Sequence, residues 1–199
     1  MTKSLMISIQ PQHALNILNG KKTLELRTWI PKGYVGWVYV YVTKGKKDIL
    51  YKYKDKYYTQ HYLTFTDYLE VLNSKVVARF WFDEYNKYVD ISNCGMTSCG
   101  LECDYDFKYW LYDLDDELKK LCLTYDEVEN YGKGKDLYTW HIKKLEIFDE
   151  PKELSDFYVT NKGLTYKYIK EYEEHTNDNV SFRLKKAPQR NVWVYTKEK

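Results

Sequence analysis

The chain is poor in the residues that punctuate or cross-link a fold. Its 199 residues include only four Pro, nine Gly, four Cys and three Met. So little Pro and Gly excludes a collagen-like or low-complexity chain. The cysteines are too few for a disulfide-dense scaffold and lack the spacing of a zinc site. Cys94, Cys99 and Cys103 lie close together, Cys122 follows 19 positions later, and no CxxC pair occurs. Free thiols are the default reading, and no metal or cofactor is expected. No run of 18 apolar residues occurs and the mean hydropathy is −0.67, which excludes a membrane-spanning helix. Between Met1 and Gln10 the aliphatic residues and internal Met are Leu5, Met6, Ile7 and Ile9, the length of a strand rather than of a leader. The expectation is a soluble, cytoplasmic protein. Walker, GxGxxG and HExxH patterns are missing. The four His are scattered, with none placed as a Cys–His pair. Asp83 with Glu84 and Asp115 with Asp116 are sequence neighbours that point apart, so neither makes an acid–base pair.

What is present is apolar and aromatic. Hydrophobic residues make 44% and charged residues 30% of the chain, enough for a core and against global disorder. The length fits a single domain spanning 1–199. Aromatics reach 18%, with 22 Tyr and six Trp, a composition suited to sheet surfaces or to stacking planar ligands. Charge is unevenly spread. Residues 1–60 carry 11 Lys and Arg against three acids, and residues 81–130 carry 13 acids against four Lys. On separate faces the first stretch would attract a polyanion; side by side the two would neutralise each other.

Apolar patterning predicts a strand over 4–10, then a helix opened by Pro11 and closed by Gly20, with Ala14, Leu15, Ile17 and Leu18 at helical spacing. Thr23 to Arg27 alternates, Leu24 and Leu26 on one face and Glu25 and Arg27 on the other. Strands are expected over 36–43, 75–85, 137–148 and 192–195, and helices over 64–72, 113–121, 124–130 and 164–174. Thr124 and Glu127 form a capping box, and 154–157 reads as a single turn. The Lys- and Tyr-rich stretch 44–61 reads as an exposed hairpin or insertion. Strands interrupted irregularly by helices predict an α+β fold, a small closed or half-closed, mixed but mostly antiparallel β-barrel decorated with helices.

The segment from Ser8 to Arg27, SIQPQHALNILNGKKTLELR, resembles the ASCH domain, a branch of the PUA-like superfamily. Its GKKTLELR is similar to the GxKxxExR signature through Gly20, Lys22, Glu25 and Arg27, and it sits in the strand, helix, strand order of that family. Gly36 to Thr43, Lys75 to Phe82, Lys135 to Pro151 and the Ala187–Pro188–Gln189 turn resemble later family elements, so the likeness covers about half of the chain. Insertions are expected at 44–61, 93–105 and 160–180.

Two cations and a carboxylate on a short strand can hold phosphate or a base amino group. An ordinary solvated strand face with a local ion pair accounts for the same spacing. The resemblance implies a PUA-like barrel with a cleft for RNA, a nucleotide or a nucleoside, formed by Lys22, Glu25 and Arg27. Its expected neighbours are Trp29, Lys32, Tyr39, Tyr41, Lys186, Gln189 and Arg190, with a place on the sheet face as the alternative for Tyr39 and Tyr41. The family also implies an alternative. Some ASCH-type relatives are hydrolases, amidohydrolases on acetylated cytidine or ribonucleases, for which Lys22 and Glu25 would be the catalytic pair here. Glu25 stands where the amidase pattern has a Thr, and Glu117 lies near the region of its distant Glu. A third option is an interaction module that uses the aromatic surface and ignores nucleic acid.

Overall fold

The computed structural model describes residues 2–45, 48–59, 69–88, 115–160, 169–173, 181–184 and 191–196. Strands β1 (Thr2–Ile9), β2 (Leu24–Arg27), β3 (Gly36–Val42), β4 (Leu50–Tyr53), β5 (Lys56–Thr59), β6 (Glu70–Val71), β7 (Val76–Phe82) and β8 (Tyr85–Tyr88) make up the first part. The second holds β9 (Leu137–His141), β10 (Lys143–Lys152), β11 (Tyr158–Thr160), β12 (Ile169–Glu173), β13 (Ser181–Leu184) and β14 (Asn191–Thr196). Helix α1 spans Pro11–Leu18, α2 runs through 115–121, and α3 spans Tyr125–Gly132.

The large sheet has the order β10-β7-β3-β1-β14-β11-β13-β12, antiparallel except for the β1–β3 pair. Its central strands bury both faces, which is why β1 and β3 read as nearly continuous apolar runs. Leu5, Ile7 and Ile9 with Val38, Val40 and Val42 meet Ala14, Ile17 and Leu18 of α1 on one side. Met6, Tyr39 and Tyr41 pack on the other side with Phe157 and Val159. A three-stranded sheet, β2-β9-β8, and a second one, β5-β4-β6, complete the layers.

The α+β class and the mixed, mostly antiparallel sheet stand, but among the described residues no sheet closes into a barrel. β10 ends the large sheet on one side and β12 on the other, while β2 pairs with β9 in a sheet of its own. The expected strand over 137–148 supplies the reason, because it is two strands. After β9 the chain breaks at Ile142, Lys144 takes a left-handed φ of 45°, and β10 joins β7 in the other sheet. Two further expectations change. Glu70–Val71 is a strand rather than the end of a helix, and Ile169–Glu173 is a strand paired with β13 rather than part of a helix. The Lys- and Tyr-rich stretch forms the β4–β5 hairpin, anchored by the buried Leu50 and Thr59. All of 93–105 and most of 160–180 lie outside the described residues.

Candidate nucleic-acid interface

Everything that positions the ionic trio follows from the end of α1. Pro11 occupies the first helical position, where its missing N–H costs nothing. At the other end Gly20 takes a left-handed φ of 68°; its N–H donates to Ile17 O and that of Lys21 to Asn16 O. This paired closure stops the helix and turns the chain sharply. Lys22 N–H also donates to Asn16 O, and Thr23 N–H to Lys120 O, so the chain enters β2 clamped between α1 and the end of α2. From there the alternation acts as expected: Leu24 and Leu26 pack with Leu121, Val128 and Leu137. Glu25 and Arg27 stand opposite Trp140 and Tyr138 of β9, on the face toward the main core.

The trio is buried rather than solvated, with Lys22 3%, Glu25 6% and Arg27 7% exposed. Arg27 Nη2 lies 2.9 Å from Glu25 Oε1, and Lys22 Nζ lies 3.5 Å from Glu25 Oε2. Lys22 Nζ also donates to Leu121 O at 2.6 Å, and Arg27 Nη2 reaches Ser8 O at 3.3 Å. One carboxylate thus bridges two cations, and backbone carbonyls take further donors. Burying an unpaired ion costs several kcal/mol, so Glu25 is what allows both cations to sit there. A positive charge is still left over, and Arg27 Nε is shut off from solvent with no hydrogen-bond partner.

These side chains line a cleft of about 800 Å³. β1 and the start of α1 wall one side, through Ser8, Gln10 and His13; the far end of α3 walls the other, through Asn130, Tyr131, Lys133 and Lys135. Trp29 closes one flank, its ring edge-on to the buried Trp140 with centroids 5.3 Å apart. Four cationic residues, Lys22, Arg27, Lys133 and Lys135, face two carboxylates, Glu25 and Glu127. Glu127 is occupied by its capping box with Thr124. An anionic or oxygen-rich ligand therefore fits better than a cation.

The expected residues divide. Lys22, Glu25, Arg27 and Trp29 come together in the cleft. Lys32 is exposed in the turn after β2 and is not among the cleft residues. Tyr39 and Tyr41 take the sheet-face role: they are 3% and 8% exposed on the far face of the large sheet, where Tyr39 packs edge-on against Phe157. Their alternation with Val38 and Val40 sends them away from the cleft. Lys186, Gln189 and Arg190 lie outside the described residues. Glu117 accepts a hydrogen bond from Thr139 at 2.9 Å. Thr139 pairs with Leu26, so this contact lies on the opposite face of β2 from Glu25.

Sequence reasoning missed His13. It stands on the first turn of α1, lines the cleft, and has its Nδ1 buried without a partner. Burial, and then the Lys22 ammonium, hold its pKa below the ordinary value against the opposing pull of Glu25 and Glu127; Arg27 also lowers it. The imidazole is neutral at pH 7. The only available signal was its position two residues after Pro11, on the helix that delivers Lys22.

No protein-family model and no curated protein matches the chain. Solved structures that it resembles are ASCH proteins, the family that the Gly20–Arg27 segment also resembles. A variant of the Zymomonas mobilis ASCH protein aligns at a TM-score of 0.43 and 16% identity, over 76% of this chain and 74% of that one. The unsubstituted Zymomonas mobilis protein aligns at a TM-score of 0.39 and 17% identity, over 76% and 73%. At that distance the role of each side chain has to be argued from this chain alone. Among the described residues no helix is long and apolar enough to cross a membrane.

Proposed function

We propose that the protein binds RNA, or a nucleotide or nucleoside, in the cleft floored by Lys22, Glu25 and Arg27. The observation that carries this is the ionic trio itself: each member is more than nine-tenths buried, yet all three line an open cleft with a guanidinium donor left unpaired. A surface ion pair has no need of such burial, and a purely structural one would have its donors filled. The cleft volume lies in the range of sites for nucleotide-sized ligands. Trp29 offers an aromatic wall for a base, and Lys133 and Lys135 lie on the rim where a phosphodiester chain would leave.

The hydrolase alternative needs a free base or nucleophile beside a carboxylate. Lys22 is held between Leu121 O and Glu25, and both oxygens of Glu25 face cations. Those contacts favour binding over turnover.

Fluorescence anisotropy with a labelled single-stranded decaribonucleotide, across a salt series, tests the reading. Lys133 has a left-handed φ of 49°, which Asn tolerates, so Lys133→Asn with Lys135→Ala removes two rim charges and keeps the backbone. The variant is expected to melt like the wild type, bind more weakly, and lose about 1.4 from the slope of log affinity against log salt, ~0.7 per phosphate contact. Equal binding by variant and wild type at low salt would count against the proposal, and shortened RNA recovered after binding would revive the hydrolase.

A further inference from the structure

We propose that His13 contacts the ligand and selects among nucleobases, its ring nitrogen reading a base edge beside the ionic floor. The inference rests on the cleft being a nucleotide site and names the residue that discriminates within it. Two residues that line that one cleft each carry a buried polar atom without a partner, Arg27 Nε and His13 Nδ1. Buried polar atoms are nearly always paired, so two orphans lining a cleft mark where a ligand supplies the missing partners.

The two orphans differ in chemistry. Arg27 Nε is always a donor, and it belongs to a guanidinium already anchored by Glu25 and Ser8 O. It suits an oxygen of phosphate or of a base. His13 Nδ1 belongs to a ring that burial and the neighbouring Lys22 and Arg27 keep neutral, with Glu25 and Glu127 pulling the other way. A neutral imidazole nitrogen is either one donor or one acceptor, according to its tautomer. Phosphate oxygens gain little from an uncharged contact when Lys22, Arg27, Lys133 and Lys135 line the same cleft. A base edge offers donors and acceptors that differ from base to base, and such an edge can be told apart by one fixed partner. Trp29 lines the cleft beside them as a flat wall for the ring.

His13 Nδ1 has no partner to strand among the described residues, so His13→Leu is expected to fold. His13→Asn keeps a polar amide atom near the place of Nδ1. Calorimetric titrations of wild type and both variants with AMP, GMP, CMP, UMP and inorganic phosphate test the role. The wild type is expected to separate its best and worst nucleotide by about tenfold, the effect of one hydrogen bond. His13→Leu should shrink that separation to within about twofold while its phosphate affinity stays unchanged; His13→Asn should keep part of it. An unaltered ranking of the four nucleotides in His13→Leu overturns the inference, as does a uniform loss that includes phosphate. A wild type that binds the nucleotides without separating them overturns it too. If the wild type binds neither nucleotides nor phosphate, the reading of the cleft itself fails and this inference falls with it.

Discussion

At the scale of single residues, the cleft is organised by Glu25, the acidic residue on β2. Its two oxygens face Arg27 and Lys22, and all three side chains are buried. Replacing it by Gln keeps the shape and leaves two buried cations without their carboxylate. Urea denaturation of Glu25→Gln should show a loss of about 3 to 5 kcal/mol; a loss below about 1 kcal/mol would mean that the trio is solvated. His13 adds a pH dependence of opposite origin. Its folded-state pKa lies below the ordinary 6.5, so the folded protein binds the proton less readily than the unfolded chain. The contribution is fully present above pH 6.5 and is lost as pH falls through the folded value, by at most ~1.4 kcal/mol per pH unit. Measured against His13→Asn, the wild type should therefore lose stability faster between pH 6.5 and pH 5. Parallel stability curves for the two proteins over that window would show that the imidazole is not buried as described.

At the scale of elements, the turn after α1 sets the register of β2 and so aims the trio. Gly20 has a left-handed φ of 68°, and a Cβ there would meet nothing within 4 Å. The cost of a side chain is therefore conformational alone. Gly20→Val is expected to lower stability by about 1 to 2 kcal/mol, and Gly20→Asn by less, because Asn visits this conformation more readily. Thermal melts that order the two variants the other way would point to a steric cause instead. This stretch was legible in the sequence because its determinants are local: Pro11 and Gly20 bound the helix, and the alternation of Leu24 to Arg27 assigns each side chain to a face. The capping box of Thr124 and Glu127 was legible for the same reason. His13 was not, since its place in the cleft depends on α1 lying across from α3. The side taken by Tyr39 and Tyr41 stayed open in the sequence because a strand buried on both faces has no outward side to betray its direction.

At the scale of the whole molecule, the α+β class could be read from the order of elements, but barrel closure could not. Closure depends on which strands pair across the chain, and the change of sheet between β9 and β10 separates β2 from the large sheet. The charge asymmetry resolves in a similar way. Lys22 and Arg27 of the basic stretch line the same cleft as Glu127 of the acidic one, and Lys22 donates to Leu121 at the end of α2. Among the described residues the two stretches meet at the cleft, so the proposed binding depends on a few placed donors more than on a broad positive field.

The Arg27 Nε–H resonance gives the most direct access to those donors. In a nitrogen–proton correlation spectrum, with the peak assigned through Arg27→Lys, titration with a single-stranded decaribonucleotide should shift it. Saturation should follow the same isotherm as the anisotropy of the labelled strand. A strand that binds while the Arg27 Nε–H peak stays where it was would place the ligand elsewhere and contradict the account.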